Sequence, residues 1–515
     1  MNDIFNTAAT AWHQFSAYLA QWPWVGWLTS LQWFFLIYFV ALNLVYLLLN
    51  MVAGFSIVRR KRDLRARYLP DALKAYQPPV SIILPAHNEE QSIVSSVRSL
   101  LAIDYPEFEV VIVNDGSTDK TLQTMISTFG MAPFPEAYRK RLDTKEIHGI
   151  YASASIPNLR LIDKVNGGKA DALNAALNCI HYPLYCSIDA DCILQKDSLS
   201  RVIRPFLEDS RTVASGGVVR VLNGCTVRDG LIDTVGLPKG FLPGFQIIEY
   251  LRAFLFGRMG WSPLNALLII SGAFGIFYKE RVIAIGGYRR DTVGEDMDLV
   301  VRLHRQLSAE KRPYRITFVP DPICWTEVPK DLHSLKSQRM RWQQGLGESI
   351  WPHLRLMLSR HGGAAGWIGI PFMLFFELFG PLIEVVGYLM MTILWLCGLV
   401  SFKVFLIFLL ASVGIGILLS VNAMLLEELS YRLYPKFRQR LKLLLWAVLE
   451  NFGYRQLTTL WRAMGLLRWA FSRKKHRRWG HIQRDGSWQT ATDSSRSGES
   501  HTPANAASLP PGGTP

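Results

Sequence analysis

Asp189 and Asp191 stand one residue apart at the end of an apolar run, Leu184-Tyr185-Cys186-Ser187-Ile188. Two carboxylates delivered by the end of a buried strand can hold a divalent cation against a phosphate, because hard cations take oxygen ligands. The same pairing also caps helices and fills solvated loops, so its meaning depends on what surrounds it. Three further polar clusters follow apolar runs in the same way: His87-Asn88-Glu89-Glu90, Asn114-Asp115-Gly116 and Asn166-Gly167-Gly168-Lys169. Gly294-Glu295-Asp296-Met297-Asp298 opens a helical pattern with Leu299, Val300 and Leu303, and the next helical pattern carries Gln338-Arg339-Met340-Arg341-Trp342. Acids in a first helical turn ordinarily serve the helix dipole and its caps.

The elements that must position these residues read as a soluble α/β domain between Pro78 and about Trp342. Val80 to Leu84, Phe108 to Val113, Leu159 to Ile162 and Leu184 to Ile188 are short apolar runs. Helical patterns separate them at Gln91 to Leu101, Lys120 to Phe129 and Lys169 to Ile180. Strands alternating with helices imply right-handed βαβ units and a mostly parallel sheet. Ligands of such sheets sit beyond the carboxyl ends of the strands, and all four polar clusters fall at that edge. Thr212 to Val221 reads as another strand. Between Phe129 and Leu159 the pattern lapses around Pro133, Pro135 and Arg139-Lys140-Arg141, which reads as a surface excursion. Gln246 to Met259 sets Ile247, Ile248, Leu251, Phe254 and Leu255 against Arg252 and Arg258, an amphipathic helix lying on either the membrane or the domain.

Half of the 515 residues are hydrophobic, and the mean hydropathy is positive, which favours a globular domain combined with membrane segments. The 16 Trp agree, since indoles favour membrane interfaces. The net charge of +15 does not point to nucleic acid. Its basic clusters, Arg59 to Arg67 and Arg473 to Arg478, adjoin apolar segments, as fits an anionic cytoplasmic leaflet. Cys179, Cys186, Cys192, Cys225, Cys324 and Cys397 show no metal or disulfide spacing and read as reduced packing residues.

Residues 1–58 read as an interfacial segment with Trp12, Trp22, Trp24 and Trp27, then a spanning helix from Leu31 to Val58. The length of that run and the lack of a basic amino-terminal region argue against a cleavable signal peptide. Residues 59–77 form a basic linker, which by the positive-inside rule puts the following region in the cytosol. Residues 78–345 form the α/β domain and 346–365 an interfacial helix. Residues 366–471 form transmembrane and interfacial helices, and 472–515 a basic, then disordered, tail. Within 366–471, Gly380-Pro381 marks a break, Val404 to Leu426 is long enough to span, and Leu443 to Phe471 reads as interfacial or re-entrant. Glu377, Glu384 and Glu450 should face a protein interior, a channel or a basic partner, since exposure to lipid would be costly.

Ordered together, Val113-Asn-Asp115-Gly-Ser-Thr-Asp119, Gly168-Lys-Ala-Asp-Ala-Leu-Asn174, Asp189-Ala-Asp191, Gly294-Glu-Asp296 and Gln338-Arg-Met-Arg-Trp342 resemble the membrane-embedded, processive glycosyltransferases of family 2. That group contains the cellulose, hyaluronan, chitin and poly-N-acetylglucosamine synthases. The resemblance implies a GT-A-type nucleotide-sugar-binding domain and inverting, metal-dependent transfer onto a growing β-linked exopolysaccharide, coupled to its translocation. It implies Asp191 as ligand of Mg2+ or Mn2+, and Asp189, Asp115, Lys169 and Arg341 as donor-binding residues. It implies Asp296 as the catalytic base, with Trp342, Gln338 and Glu295 serving the acceptor. A guanidinium fork suits the departing diphosphate, and the apolar face of a pyranose packs on an indole.

The implied partners are a nucleotide sugar, the polysaccharide, the bilayer and a small membrane accessory subunit, with no nucleic acid. The implied location is the plasma (inner) membrane, multi-pass, with the catalytic domain in the cytosol. Ser271-Gly-Ala-Phe-Gly275 and Glu450-Asn-Phe-Gly-Tyr-Arg-Gln456 look more like the poly-N-acetylglucosamine synthase branch, which makes UDP-N-acetylglucosamine the first choice of donor. Two features depart from other branches. The acid motif has Gly294 where several synthases have Thr, and the tail after Trp479 is too short and polar for the cyclic di-GMP-binding barrel that bacterial cellulose synthases often append. The open alternatives are a β-glucan synthase using UDP-glucose, a non-processive transferase to a lipid-linked acceptor, and an inactive nucleotide-sensing membrane protein.

Overall fold

The computed structural model describes residues 23–66 and 76–471 except Asp229, with isolated positions before residue 23. The segment around Trp12 and Trp22, the linker at 67–75 and the tail from residue 472 lie outside the described residues.

Twelve strands follow in chain order: β1 (Val80–Ala86), β2 (Phe108–Asp115), β3 (Met131–Pro133), β4 (Ile147–Ser153), β5 (Leu159–Lys164), β6 (Leu184–Ile188), β7 (Cys192–Leu194), β8 (Thr212–Val221), β9 (Thr226–Arg228), β10 (Leu231–Thr234), β11 (Phe274–Tyr278) and β12 (Arg315–Thr326). Ten of them form one sheet in the order β3-β4-β5-β2-β1-β6-β11-β8-β12-β7, and β9 and β10 form a separate hairpin. β5, β2, β1 and β6 pair in parallel, as the strand–helix alternation requires. β11 enters antiparallel between β6 and β8, β12 runs parallel to β8, and β7 lies antiparallel on β12. The expected sheet is therefore present, mixed but with most strands pointing one way. Every residue of β6 and β8 is buried, which is why neither strand shows the alternation of a half-solvated one.

One expectation is corrected at the other edge. Residues between Phe129 and Leu159 are not merely a surface excursion: β3 and β4 lie there and extend the sheet antiparallel from β5. An edge pair is half solvated, so β4 lacks a continuous apolar run. Pro133 closes β3 at the edge position where a missing N–H is tolerated.

The first helix runs from Pro23 to Ala66 and contains an apolar stretch, Ser30–Arg59, long enough to cross a membrane. It continues into the basic residues expected as linker, because neither Gly nor Pro interrupts residues 59–66 and Arg and Lys are good helix formers. A second helix, Phe402–Ser430, also satisfies the length and polarity of a span. Ala365–Leu378 and Gly380–Leu396 form a bent pair, turning by 41° at the expected Gly380-Pro381 break. Phe437–Leu449 and Tyr454–Phe471 are two separate helices, neither of them long and apolar enough to be a candidate span. The expected start of an interfacial helix at residue 346 falls inside a helix, Leu332–Ile350, which a 3-10 turn follows.

The amphipathic stretch lies between the two alternatives. Helix Phe241–Tyr250 continues as a π-helical segment, Leu251–Arg258, packed on β8 on one side and on the two helices long enough to span a membrane on the other. Its apolar positions Ile247, Ile248, Leu251 and Leu255 are all buried.

Sheet and membrane helices are joined by a buried ion pair, Arg220 of β8 with Glu427 of Phe402–Ser430. Removing one partner of such a pair strands a charge away from water and costs roughly 3–5 kcal/mol, whereas replacing both by apolar groups of similar volume is close to neutral. Glu427→Ala should therefore lower the melting temperature of the detergent-purified protein strongly, and the double variant Arg220→Met/Glu427→Met should melt above either single variant.

Candidate active site

The carboxyl ends of the parallel strands open into a cavity of about 1640 Å³. β1 delivers His87 and Asn88, β2 Asp115, β5 the Asn166-Gly167-Gly168 turn, and β6 Asp189 and Asp191. Helix Glu295–Ala309 contributes Glu295 and Asp296 from its first turn, and helix Leu332–Ile350 contributes Gln338, Arg341 and Trp342. All of the residues singled out in the sequence, Asp115, Lys169, Asp189, Asp191, Glu295, Asp296, Gln338, Arg341 and Trp342, line this one cavity.

Lys169 is the hub. Its Nζ lies 2.5 Å from Asp189 Oδ1 and 3.6 Å from Glu295 Oε1, and donates to the Gly272 carbonyl at 3.0 Å. Burial disfavours the ammonium, but Asp189 and Glu295 outweigh it and push its pKa well above the usual lysine value. Glu295 moves the other way. Burial and the Asp296 charge, partly opposed by Lys169, raise it to about 7. Asp296 Oδ1 accepts the Met297 N–H at 2.8 Å, as a first-turn acid should. Its Oδ2 faces Gly272, where an added Cβ would sit 3.3 Å away.

Gly294 explains the departure from Thr noted in the motif. A Cβ there would lie 2.8 Å from the Gly345 carbonyl oxygen, and Ser349 Oγ donates to the Gly294 carbonyl at 3.0 Å. Two glycines thus let the acid-bearing turn touch the backbone of Leu332–Ile350. That contact joins the helix that carries Asp296 to the one that carries Arg341 and Trp342.

Asp115 lines the cavity, but its carboxylate is engaged by the chain. Lys164 Nζ donates to Oδ1 at 2.6 Å, and the Gly167 and Gly168 N–H groups donate at 3.0 and 2.7 Å. Lys164 also pairs with buried Asp171 at 2.7 Å. Asp115 therefore shapes the turn that leads into Lys169. Asp191 Oδ2 accepts from Thr326 Oγ1 at 3.4 Å, at the end of β12. Among the described residues no three His, Cys, Asp or Glu side chains converge as a metal cage. The donor set fits a magnesium-type ion all the same, since such ions take one or two carboxylates and complete their shell with substrate phosphates and water.

Trp342 is 45% exposed to the cavity, and the Arg339 guanidinium lies 4.3 Å from its ring centre. Arg258, read in the sequence only as part of a polar helix face, also lines the cavity. Its Nη1 is buried with no hydrogen-bond partner among the described residues, and its guanidinium covers the Phe254 ring at 3.7 Å. Burial pulls its pKa down to about 9 against the opposing Asp296 charge. Its one sequence signal was a basic residue one turn beyond Phe254 in an apolar stretch. Lys164 left less, a basic residue beside Asp163 just past an apolar run.

The cavity continues among the helices between Ile370 and Phe471. Arg462 pairs with Glu377 at 2.7 Å, and Tyr46 donates to the same carboxylate. Glu384 accepts from Thr459 at 3.3 Å, and Glu450 pairs with Arg252 at 2.6 Å. The three acids expected to avoid lipid all face protein, and two of them face a guanidinium.

Residues 81–128 match the family model Glycosyl transferase family 2, and residues 141–345 match Glycosyltransferase like family 2. The poly-beta-1,6-N-acetyl-D-glucosamine synthase of Staphylococcus epidermidis is 27% identical over 281 residues, 54% of this chain and 57% of that protein. The synthase of the same name from Staphylococcus aureus strain COL is 28% identical over 267 residues, 52% of this chain and 54% of that protein. The chain thus spans little more than half the length of these relatives. Among solved structures, the mannosyltransferase PcManGT from Pyrobaculum calidifontis in complex with GDP-Man and Mn2+ aligns with a TM-score of 0.45 at 20% identity, covering 81% of this chain and 99% of that one. TarS 1-349 of S. aureus in complex with UDP-GlcNAc aligns with a TM-score of 0.35 at 16% identity, covering 73% of this chain and 92% of that one.

A carboxyl raised from its ordinary value of 4.5 to about 7 in the fold binds protons more tightly when folded. Its contribution to stability is full below pH 4.5 and is lost as the pH rises through 7. Glu295→Gln should therefore gain stability over the wild type progressively between pH 4.5 and 7 and level off above, as measured by denaturant titration across that range.

Proposed function

We propose that this chain, which carries a family 2 glycosyltransferase domain, transfers N-acetylglucosamine from UDP-N-acetylglucosamine to the end of a growing β-linked polysaccharide and passes the product through its own membrane helices. The observation that carries the reading is the continuity of the cavity: one space runs from Lys169, Asp189 and Asp191, past Asp296 and Trp342, to Glu377, Glu384 and Thr459 among the membrane helices. A donor site, a base and an exit lined by polar groups then share one path. The sugar is chosen from the two motifs Ser271 to Gly275 and Glu450 to Gln456, and the relatives named as poly-N-acetylglucosamine synthases support that choice. The basic residues from Arg59 support a cytosolic domain on a plasma membrane.

In this reading the diphosphate lies at the sheet edge near Asp189 and Lys169, with Arg341 facing the charge that develops on departure. Asp115 acts through the glycine turn it holds. Asp191, with Asp189 beside it, would hold Mg2+ or Mn2+ together with the diphosphate, and the bound ion would supply Lewis-acid stabilisation of the leaving group. Asp296 takes the proton of the acceptor hydroxyl, its Oδ1 fixed by the Met297 N–H. The hydroxyl oxygen forms its bond to the anomeric carbon as the bond to the diphosphate oxygen breaks, and this single displacement turns an α-linked donor into a β-linked product. Gln338 and Glu295 border the acceptor beside Trp342, and a small membrane subunit is proposed as a further partner.

Purified protein in lipid nanodiscs, and native membranes in case that subunit is needed, should release nucleoside diphosphate fastest from UDP-N-acetylglucosamine in a screen that includes UDP-glucose. The product should be of high molecular weight, and Asp296→Asn should lower the rate by at least about 100-fold. A lipid-extractable product of one or two sugars would identify non-processive transfer instead, and nucleotide binding without diphosphate release from any donor would identify a sensor. The two strand-end acids should separate: Asp191→Ala shifts the metal concentration needed for half-maximal rate, and Asp189→Ala chiefly raises the donor KM. Identical metal titrations in the two variants would remove that division of labour.

A further inference from the structure

We propose that Glu249, Arg339 and Tyr454 are positioning residues that close one face of Trp342 and leave the other as the platform for the acceptor sugar, an inference that rests on the proposed function. Arg339 and Trp342 are three residues apart on helix Leu332–Ile350 and so share one face of it. The guanidinium lies 4.3 Å from the indole centre. Arg339 is 1% exposed and Trp342 is 45% exposed, so the guanidinium covers one side of the ring and the other stays open, and both residues border the cavity. Arg339 Nη2 donates to Glu249 Oε2 at 2.7 Å, and Tyr454 Oη donates to the same oxygen at 2.7 Å. Nε and Nη1 of Arg339 have no hydrogen-bond partner among the described residues, so the face-on contact with the indole is where the rest of its charge is directed.

The three groups come from separate elements. Glu249 belongs to helix Phe241–Tyr250 and Tyr454 opens helix Tyr454–Phe471, where its ring packs on Phe245 with centroids 5.3 Å apart. A half-exposed indole at the wall of a cavity would otherwise turn about its side-chain torsions. A planar cation fixed by a carboxylate from one helix, itself held by a hydroxyl from another, removes that freedom on one side and excludes a sugar from it. A pyranose can then stack only on the uncovered side, within the cavity that Asp296 also lines. Lysine keeps the charge at position 339 but offers no plate to lie along the ring.

The test uses the full-length protein in nanodiscs with β-linked N-acetylglucosamine oligomers as probe, titrated by calorimetry, alongside steady-state kinetics. Glu249→Gln should weaken oligomer binding and raise the acceptor KM by roughly fivefold to twentyfold. The donor KM and the slow hydrolysis of donor without acceptor should stay within about twofold. Arg339→Lys should weaken binding to the same degree. Tyr454→Phe should do so by about threefold, and it decides the matter if Glu249→Gln does not fold. Equal oligomer affinity in wild type and variants, full rescue by lysine, or donor and acceptor constants worsening together would each overturn the proposal. Failure of the wild type itself to bind oligomers would overturn the proposed function and the platform together.

Discussion

Four carboxylates, Asp189, Asp191, Glu295 and Asp296, border one cavity, and the ammonium of Lys169 sits among them, in contact with Asp189 and Glu295. Like charges at such spacing cannot all stay ionised out of water. One of them, Glu295, retains its proton up to about pH 7. Lys169 begins its helix directly after the glycine turn that Asp115 at the end of β2 braces, and its side chain joins the end of β6 to the first turn of Glu295–Ala309. Moving any of these elements would leave buried charge unpaired, which is the strongest restraint on the geometry of the site.

The same physics joins the domain to the membrane helices. Arg220 with Glu427, Arg252 with Glu450, and Arg462 with Glu377 each join residues far apart in the chain, and the first two link the domain to helices beyond residue 400. Their acids sit in apolar segments where a lone carboxylate would be costly, so each pair fixes how sheet, amphipathic helix and membrane helices lie together. Glycine does the equivalent work without charge: Gly294 and Gly345 allow two helices to touch through their backbones. Asp296 and Trp342 consequently lie on two helices held against each other at that contact.

Much of this was legible in the residues. Apolar runs ending in polar clusters located β1, β2, β5 and β6 and the edge at which the cavity opens. Asp115, Asp189 and Asp191 converge on that edge because strand direction in a βαβ unit dictates where strand ends point, whereas Glu295, Asp296 and the Gln338 to Trp342 motif reach it from two helices packed together. Edge strands β3 and β4 were not legible, since half-solvated strands carry no continuous apolar signal. Lys164, Arg258 and Glu249 were missed for a different reason. Each is a single charge whose importance comes from partners distant in sequence, and no local pattern marks such a residue.

The amino-acid sequence by itself determined the α/β domain between membrane segments, the helix break at Gly380-Pro381, the acids at the strand ends and their order along the chain. All of these follow from local periodicity, turn residues and the cost of charge in lipid. Only the tertiary structure decided that Asp115 braces a turn, that Gly294 is glycine because Gly345 lies against it, that the amphipathic stretch is packed between sheet and spanning helices, and that Arg339 covers one face of Trp342. Those features depend on distances between side chains brought together from far apart, and such distances exist only once the elements have packed.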